Sequence, residues 1–238
     1  MQKSLIVALD FQNKEEVLAF LRNFQEEQLY VKVGMELFYS EGPDIIKLLK
    51  DQGHDIFLDL KLHDIPHTVY SAMKVLAKLG VNMTNVHAAG GREMMRAALE
   101  GIREGSITGD SPALIAVTQL TSMSEEQMQQ DLLIYRNLND VVLHYARNAY
   151  EMGLAGVVCS SLEAPLLKRE LGATFKKVTP GIRLKEDEKA DQSRIVTPRE
   201  AFELGATEIV VGRSITRSAD PVLAYQTILQ QWQGVERA

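Results

Sequence analysis

The feature that most limits the possible folds is an alternation. Short β-rich runs at Leu5–Leu9, Tyr30–Gly34, Ile56–Leu62, Met83–His87, Ala113–Thr118, Gly156–Cys159, Lys177–Thr179 and Glu208–Val211 are separated by helical patterns. The helical stretches are Lys14–Glu27, Gly42–Gln52, Thr68–Leu79, Arg92–Arg103, Leu138–Met152, Glu163–Leu171, Pro198–Leu204 and Pro221–Gln231. A strand that returns through a helix must lie parallel to the strand before it, so the sheet is predicted to be parallel. Eight such pairs in 238 residues predict an α/β chain forming a closed (β/α)8 barrel as one domain over residues 1–238. A doubly wound open sheet is the alternative. No GxGxxG follows the first strand, which weakens a dinucleotide-binding reading.

Gly53, Gly80, Gly153 and Gly205 follow helical runs, as C-terminal caps do. The stretch GIRLKEDEKADQSRIVTP, residues 181–198, differs in texture: it is long, charged and without apolar periodicity. It leaves the end of the seventh strand, where barrel active sites lie, so it is expected to be a mobile, phosphate-gripping lid.

The formal net charge of −6 and the lack of a basic block argue against nucleic acid or an acidic membrane as partner. The first apolar run ends at Asp10, so a first strand is expected there and no signal peptide. No apolar stretch approaches the roughly 20 residues of a membrane span. A lone cysteine, Cys159, within AGVVCSS is expected to be a buried core residue in a reducing, cytoplasmic setting.

Charge in the wrong place marks the site. In FLDLKLHDIPHT, residues 57–68, strand alternation sends Ile56, Leu58, Leu60 and Leu62 one way and Phe57, Asp59 and Lys61 the other. In a barrel the apolar row meets the helices. Asp59 and Lys61 then face the interior at its C-terminal mouth, about 7 Å apart by strand rise. Asp10 ends VALD, and Lys32 lies between two valines in YVKVG. Four alternating charges, Asp10, Lys32, Asp59 and Lys61, are thus expected to converge from three adjacent strands, each neutralising its neighbours. A structural ion-pair network is the competing reading, although barrel interiors are normally filled by Val, Ile and Leu. Asp64 lies past the strand end and need not share that cavity.

VTPGIR after the seventh strand and VVGRS after the eighth offer an anion site. Gly181 and Gly212 permit close backbone approach, and Arg183 and Arg213 supply guanidinium groups. HDIPH has the composition of a metal site, but Pro66 prevents a regular helix from presenting His63 and His67 together, so no metal is expected there. His87 is expected to sit in a satisfied polar position at a strand end. Gly90 and Gly91 read as loop residues, and Met94 and Met95 as a packed helix face.

The segments ALDF (8–11), KVG (32–34), DLKLHDIPHT (59–68), VHAAGG (86–91), TQLTS (118–122), TPGIR (179–183), DQSRIVTP (191–198) and VVGRSIT (210–216) together resemble the orotidine 5′-phosphate decarboxylases, in order and over nearly the whole chain. The D-x-K-x-x-D element alone is shared with relatives such as 3-keto-L-gulonate 6-phosphate decarboxylase. The resemblance implies a homodimeric barrel that converts orotidine 5′-phosphate to UMP and carbon dioxide without a metal or organic cofactor. It implies Lys61 as the acid that protonates C6, Asp59 beside the substrate carboxylate, and Asp10 and Lys32 on the ribose hydroxyls. Asp64 and Thr68 would reach into the partner's site. Thr121 would meet the pyrimidine, Arg213, Gln192 and the Gly212 backbone the phosphate, and Arg183 would anchor the lid. Two alternatives remain at this point. One is a magnesium-dependent sugar-phosphate decarboxylase or aldolase of the same suprafamily, which would carry an acid where this chain has Lys32. The other is a non-catalytic phosphate-ligand binder.

Overall fold

A computed structural model of the chain describes residues 4–25, 27–106, 111–184 and 195–234. The first half contains β1 (Ser4–Ala8), α1 (Lys14–Leu21), β2 (Tyr30–Gly34), α2 (Met35–Glu41), α3 (Asp44–Asp51), β3 (Asp55–Leu62), α4 (Pro66–Ala77), β4 (Met83–His87) and α5 (Gly91–Gly105). The second contains β5 (Ala113–Val117), α6 (Glu125–Asp131), α7 (Leu138–Glu151), β6 (Gly156–Val158), α8 (Ala164–Leu171), β7 (Lys176–Thr179), α9 (Pro198–Leu204), β8 (Glu208–Val211), α10 (Arg213–Thr216) and α11 (Pro221–Trp232). The strands are all parallel and close in sequence order, with β8 pairing back onto β1. The chain is therefore a (β/α)8 barrel, as its alternation predicts.

Two layers of apolar side chains account for the closure. Outward-facing strand residues such as Val7, Val31, Val33, Ile56 and Leu58 are fully buried against the helices. Inward-facing Ile6, Phe57, Met83, Ile115, Val178 and Val210 fill the barrel itself. Burying an aliphatic side chain of this size contributes about 1.5–3 kcal/mol, so both rows resist a register slip, which would exchange them. Gly156 serves the same closure. It pairs with Lys176 across β6 and β7, and a Cβ there would lie 2.3 Å from the Lys176 Cβ. Lys176 turns inward below the apolar layer and pairs with Glu208, which is 3 % exposed at its side chain.

Three expectations need correction. The helix read over Lys14–Glu27 ends at Leu21, and the chain turns through Gln25 at φ 47°. The helix read over Gly42–Gln52 begins at Asp44 and is preceded by α2, with Gly42 at φ 67° as the hinge between them. The α6 and α10 helices were not foreseen; at seven and four residues they are too short to display a helical period. A further departure concerns Lys177. It is fully buried among the outward-facing residues, and its ammonium donates to the carbonyls of Gly172, Ala173 and Phe175 at 3.2, 3.4 and 2.6 Å, closing the turn after α8. Cys159 is buried in the outer layer, as expected.

Candidate active site

β3 builds the centre of the site. Ile56, Leu58 and Leu60 face the helices, while Phe57 enters the barrel core, so strand alternation turns Asp59 inward. Beyond Leu58 the strand leaves regular geometry. Leu58 pairs with Thr84 and Leu62 with Val86, so four steps along β3 match two along β4. Lys61 sits in this bulge at φ 52°, the left-handed region that a long side chain enters only when its surroundings demand it. A regular strand through Leu62 was expected, so this is a correction. Lys61 Nζ lies 2.7 Å from Asp59 Oδ1.

β1 and β2 supply the rest of the charge. Lys32, between fully buried Val31 and Val33, places Nζ 3.0 Å from Asp10 Oδ1 and 3.6 Å from Asp59 Oδ2. The order across the mouth is Asp10, Lys32, Asp59, Lys61. Burial pushes the Asp59 carboxyl up, but the ammoniums of Lys32 and Lys61 and the hydrogen bonds from Lys61 and Asn85 outweigh it. The net effect holds Asp59 below the usual carboxylate range, so it is ionised at neutral pH. Its charge lies between two ammoniums, the arrangement that makes a buried carboxylate tolerable.

Asn85 was not foreseen. It is fully buried on β4, opposite Ile115 of the inner layer. Its Nδ2 donates to Asp59 Oδ1 at 2.7 Å, and its Oδ1 accepts from the Lys61 backbone N–H at 2.8 Å. The signal that exposed Asp59, a polar residue on the core-facing parity of a strand, was also available here.

These groups open onto a cavity of about 310 Å³, a volume suited to a small organic ligand. Asp10, Lys32, Asp59 and Lys61 line one side. Gly181, Arg183, Gly212, Arg213 and Ser214 line another, and Thr121 joins from the loop after β5. Phe57, Val178 and Val210 add apolar lining to the same cavity. The base of the 181–198 segment is pinned. Arg183 N donates to Val196 O at 3.1 Å, Val196 N donates to Gly181 O at 3.3 Å, and Ile182 bridges to Val196. Residues 185–194, and with them Gln192 and the crown of the expected lid, lie outside the described residues.

Asp64 and Thr68 do not line this cavity. Both are exposed, in a shallow depression of about 300 Å³ beside Tyr39 and His63. Lys61 borders both spaces. Among the described residues no three His, Cys, Asp or Glu side chains are grouped as metal ligands. His63 precedes α4, and His67 lies within it and stacks on Tyr70. His87 packs its ring 5.6 Å from that of His63; burial, then His63 and Lys61, holds its imidazole below the ordinary range. Met94 and Met95 are buried on α5.

The model of the orotidine 5′-phosphate decarboxylase / HUMPS family matches residues 3–228. The chain belongs to that family. It is 60% identical over 236 residues to an orotidine 5′-phosphate decarboxylase of Bacillus cytotoxicus and 58% identical over 236 residues to one of Bacillus cereus, each alignment covering 99% of both proteins. Among solved structures it superposes with a TM-score of 0.88 on the orotidine 5′-phosphate decarboxylase of Lactobacillus acidophilus, at 43% identity, covering 97% of this chain and 99% of the other. An uncharacterized conserved protein from Geobacillus kaustophilus matches with a TM-score of 0.86 at 52% identity, covering 96% and 99%. Family membership thus joins a barrel whose mouth holds two acids and two ammoniums in alternation. No helix among the described residues is long and apolar enough to cross a membrane.

Proposed function

We infer that this chain decarboxylates orotidine 5′-phosphate to UMP and carbon dioxide, in the cytoplasm, as a step of pyrimidine synthesis. The observation that carries the reading is Lys61 held 2.7 Å from Asp59 in the lining of a cavity that two arginines also line, in a chain 60% identical to a decarboxylase of that name. The substrate has the matching polarity: a phosphate at one end and a carboxylate on C6 of the pyrimidine at the other.

When the C6–carboxylate bond breaks, its electron pair stays on C6 and carbon dioxide departs. The ring delocalises that pair poorly. An ammonium fixed nearby stabilises the developing charge without reorganising, then transfers its proton to C6. Lys61 has this role in our reading and regains its proton from solvent afterwards. Asp59 keeps Lys61 in place and faces the leaving carboxylate, so repulsion between the two is relieved as carbon dioxide forms. Asp10 and Lys32 hold the ribose hydroxyls, and Thr121 the pyrimidine. Arg213, the Gly212 backbone and Gln192 take the phosphate. Arg183 anchors the 181–198 segment, whose closure over the phosphate converts remote binding energy into exclusion of water. Asp64 and Thr68 complete the site of a second subunit. Their exposure beside Ile65 and Tyr39, apolar residues 66% and 71% exposed, supports a dimer joined at this edge. A magnesium-dependent sugar-phosphate enzyme has less support, because Lys32 places a positive charge between the two acids such a metal would need.

The test follows the ultraviolet absorbance of orotidine 5′-phosphate mixed with the protein in excess EDTA, with Lys61→Ala alongside. Conversion to UMP by the parent and its loss in Lys61→Ala is the expected result. An inert parent, or a variant as active as the parent, would refute the assignment.

A further inference from the structure

We propose that Asn85 is a positioning residue for the reaction: its amide fixes both the carboxylate of Asp59 and the backbone of Lys61, and so sets where the Lys61 ammonium stands. The proposal rests on the decarboxylase reading above and adds to it a residue that touches no substrate atom.

The geometry is specific. β3 carries two residues more than β4 between their flanking pairs. An excess of this kind normally leaves a backbone N–H without its ladder partner. Here the Lys61 N–H is taken by Asn85 Oδ1 at 2.8 Å. The same amide donates from Nδ2 to Asp59 Oδ1 at 2.7 Å, the oxygen that also receives Lys61 Nζ. One planar group therefore grips the main chain of the proton donor and the counter-ion of its side chain. Lys61 at φ 52° is a conformation of order 1–3 kcal/mol above the usual wells, and it persists only where contacts hold it. Asn85 can hold it firmly, being fully buried with Ile115 as its β5 neighbour. Aspartate has the same shape but no donor when ionised, and leucine has neither donor nor acceptor, so the position requires an amide.

The charged groups around Asn85 are identifiable. Asp59 and Lys61 face it from β3, with Lys32 of β2 behind Asp59 and Asp10 behind Lys32. His87 follows on β4 with His63 against it. β5 presents apolar Ile115. A carboxyl placed at position 85 would therefore share a proton with Asp59. With that proton present it can donate to Asp59 as the amide does. Without it, two carboxylates repel and Asp59 is pulled out of place.

The experiment uses the full-length enzyme with Asn85→Ala and Asn85→Asp, measuring kcat, KM and the pH profile for orotidine 5′-phosphate together with Tm. Asn85→Ala is expected to lose kcat on the order of a hundredfold with KM within about threefold of the parent, since a misplaced donor costs rate more than binding. Asn85→Asp is expected to lose kcat progressively as pH rises through about 5 to 8, where the parent is level. A packing role alone would lower Tm and give a pH-independent loss. Should Asn85→Ala fail to fold, the isosteric Asn85→Asp decides. An active parent whose Asn85→Asp variant is level in pH, unfolded, or unchanged in kcat overturns this inference and leaves the decarboxylase reading intact. A parent that does not consume orotidine 5′-phosphate overturns both.

Discussion

Asp59→Asn tests the charge network directly. The carboxylate is 2.7 Å from Lys61 Nζ and 3.6 Å from Lys32 Nζ. At an effective dielectric constant of about 20, those attractions are about 6 and 5 kcal/mol before desolvation is subtracted. Removing one partner of a buried pair costs about 3–5 kcal/mol net, because the remaining charge stays buried without compensation. Lys61 is 26% exposed at its side chain and Lys32 13%, so water screens part of the loss and the lower value applies. About 3 kcal/mol in a chain of this size lowers Tm by roughly 6–12 °C. The new amide also points a donor at Lys32 and frees Lys61 to swing, so kcat should fall by at least about a hundredfold. Binding gives a separate readout. If Asp59 repels the substrate carboxylate at about 4 Å, the penalty reaches about 4 kcal/mol, and the variant should favour orotidine 5′-phosphate over UMP at least about tenfold more than the parent does. Calorimetric titration of both nucleotides, with stopped-flow absorbance for kcat, measures each quantity. Tm unchanged and kcat within about threefold of the parent would refute the ion-pair reasoning. A parallel weakening of both nucleotides would refute the repulsion alone.

Arg213→Ala should reduce kcat/KM by about a hundredfold, the value of a lost charge-assisted contact to phosphate, and guanidinium ion added in solution should restore part of it; a near-parental value would remove Arg213 from the phosphate site. Lys61→Ala and Asp64→Ala homodimers should each be inactive, yet refolding an equal mixture should recover about one quarter of parental activity, since about half the dimers are hybrids with one intact site of two. Additive, unrecovered losses would place Asp64 in its own subunit's site. His54 accepts a hydrogen bond at Nδ1 from Leu29 N at 3.2 Å, and burial holds its imidazole below 6.5. The unfolded chain therefore binds a proton that the folded one resists, so stability is full above pH 6.5 and falls as pH drops below it. The slope is at most about 1.4 kcal/mol per pH unit and should flatten in His54→Gln, read as Tm against pH.

What could be read from the sequence, and what could not, divides along a physical line. The barrel was legible because parallel strands covered by helices must be apolar on both faces, and the runs at Leu5–Leu9 and Ala113–Thr118 have that composition. Asp59, Lys61, Lys32 and Asp10 were legible because charges at core-facing positions are uncommon in a barrel interior normally filled by Val, Ile and Leu. Short elements were not: α2 and α6 have seven residues each, fewer than the two turns a helical period needs to show itself. Lys177 was ambiguous because Lys176 and Lys177 are adjacent, so alternation sends one inward and one outward without saying which outward ammonium finds carbonyls. It finds those of residues 172, 173 and 175, brought back by a turn no local pattern specifies.

The bulge at Lys61 is the most informative of these failures. Nothing in residues 57–62 departs from the pattern of a regular strand, and the partner of the left-handed Lys61 backbone is Asn85, 24 residues onward and on the next strand. A lysine would not adopt that backbone from its own preference. The contacts that hold it there are tertiary: the Lys61 N–H donates to Asn85 Oδ1, and the Lys61 ammonium pairs with Asp59. Sequence therefore named the charged groups of the cavity but not their distances. The structure adds the 2.7 Å contact of Lys61 Nζ with Asp59 Oδ1 and, beside it, a register shift that the residue pattern does not announce. The site is thus best understood as a strand made irregular at one position, Lys61, where its backbone N–H meets Asn85 and its ammonium meets Asp59.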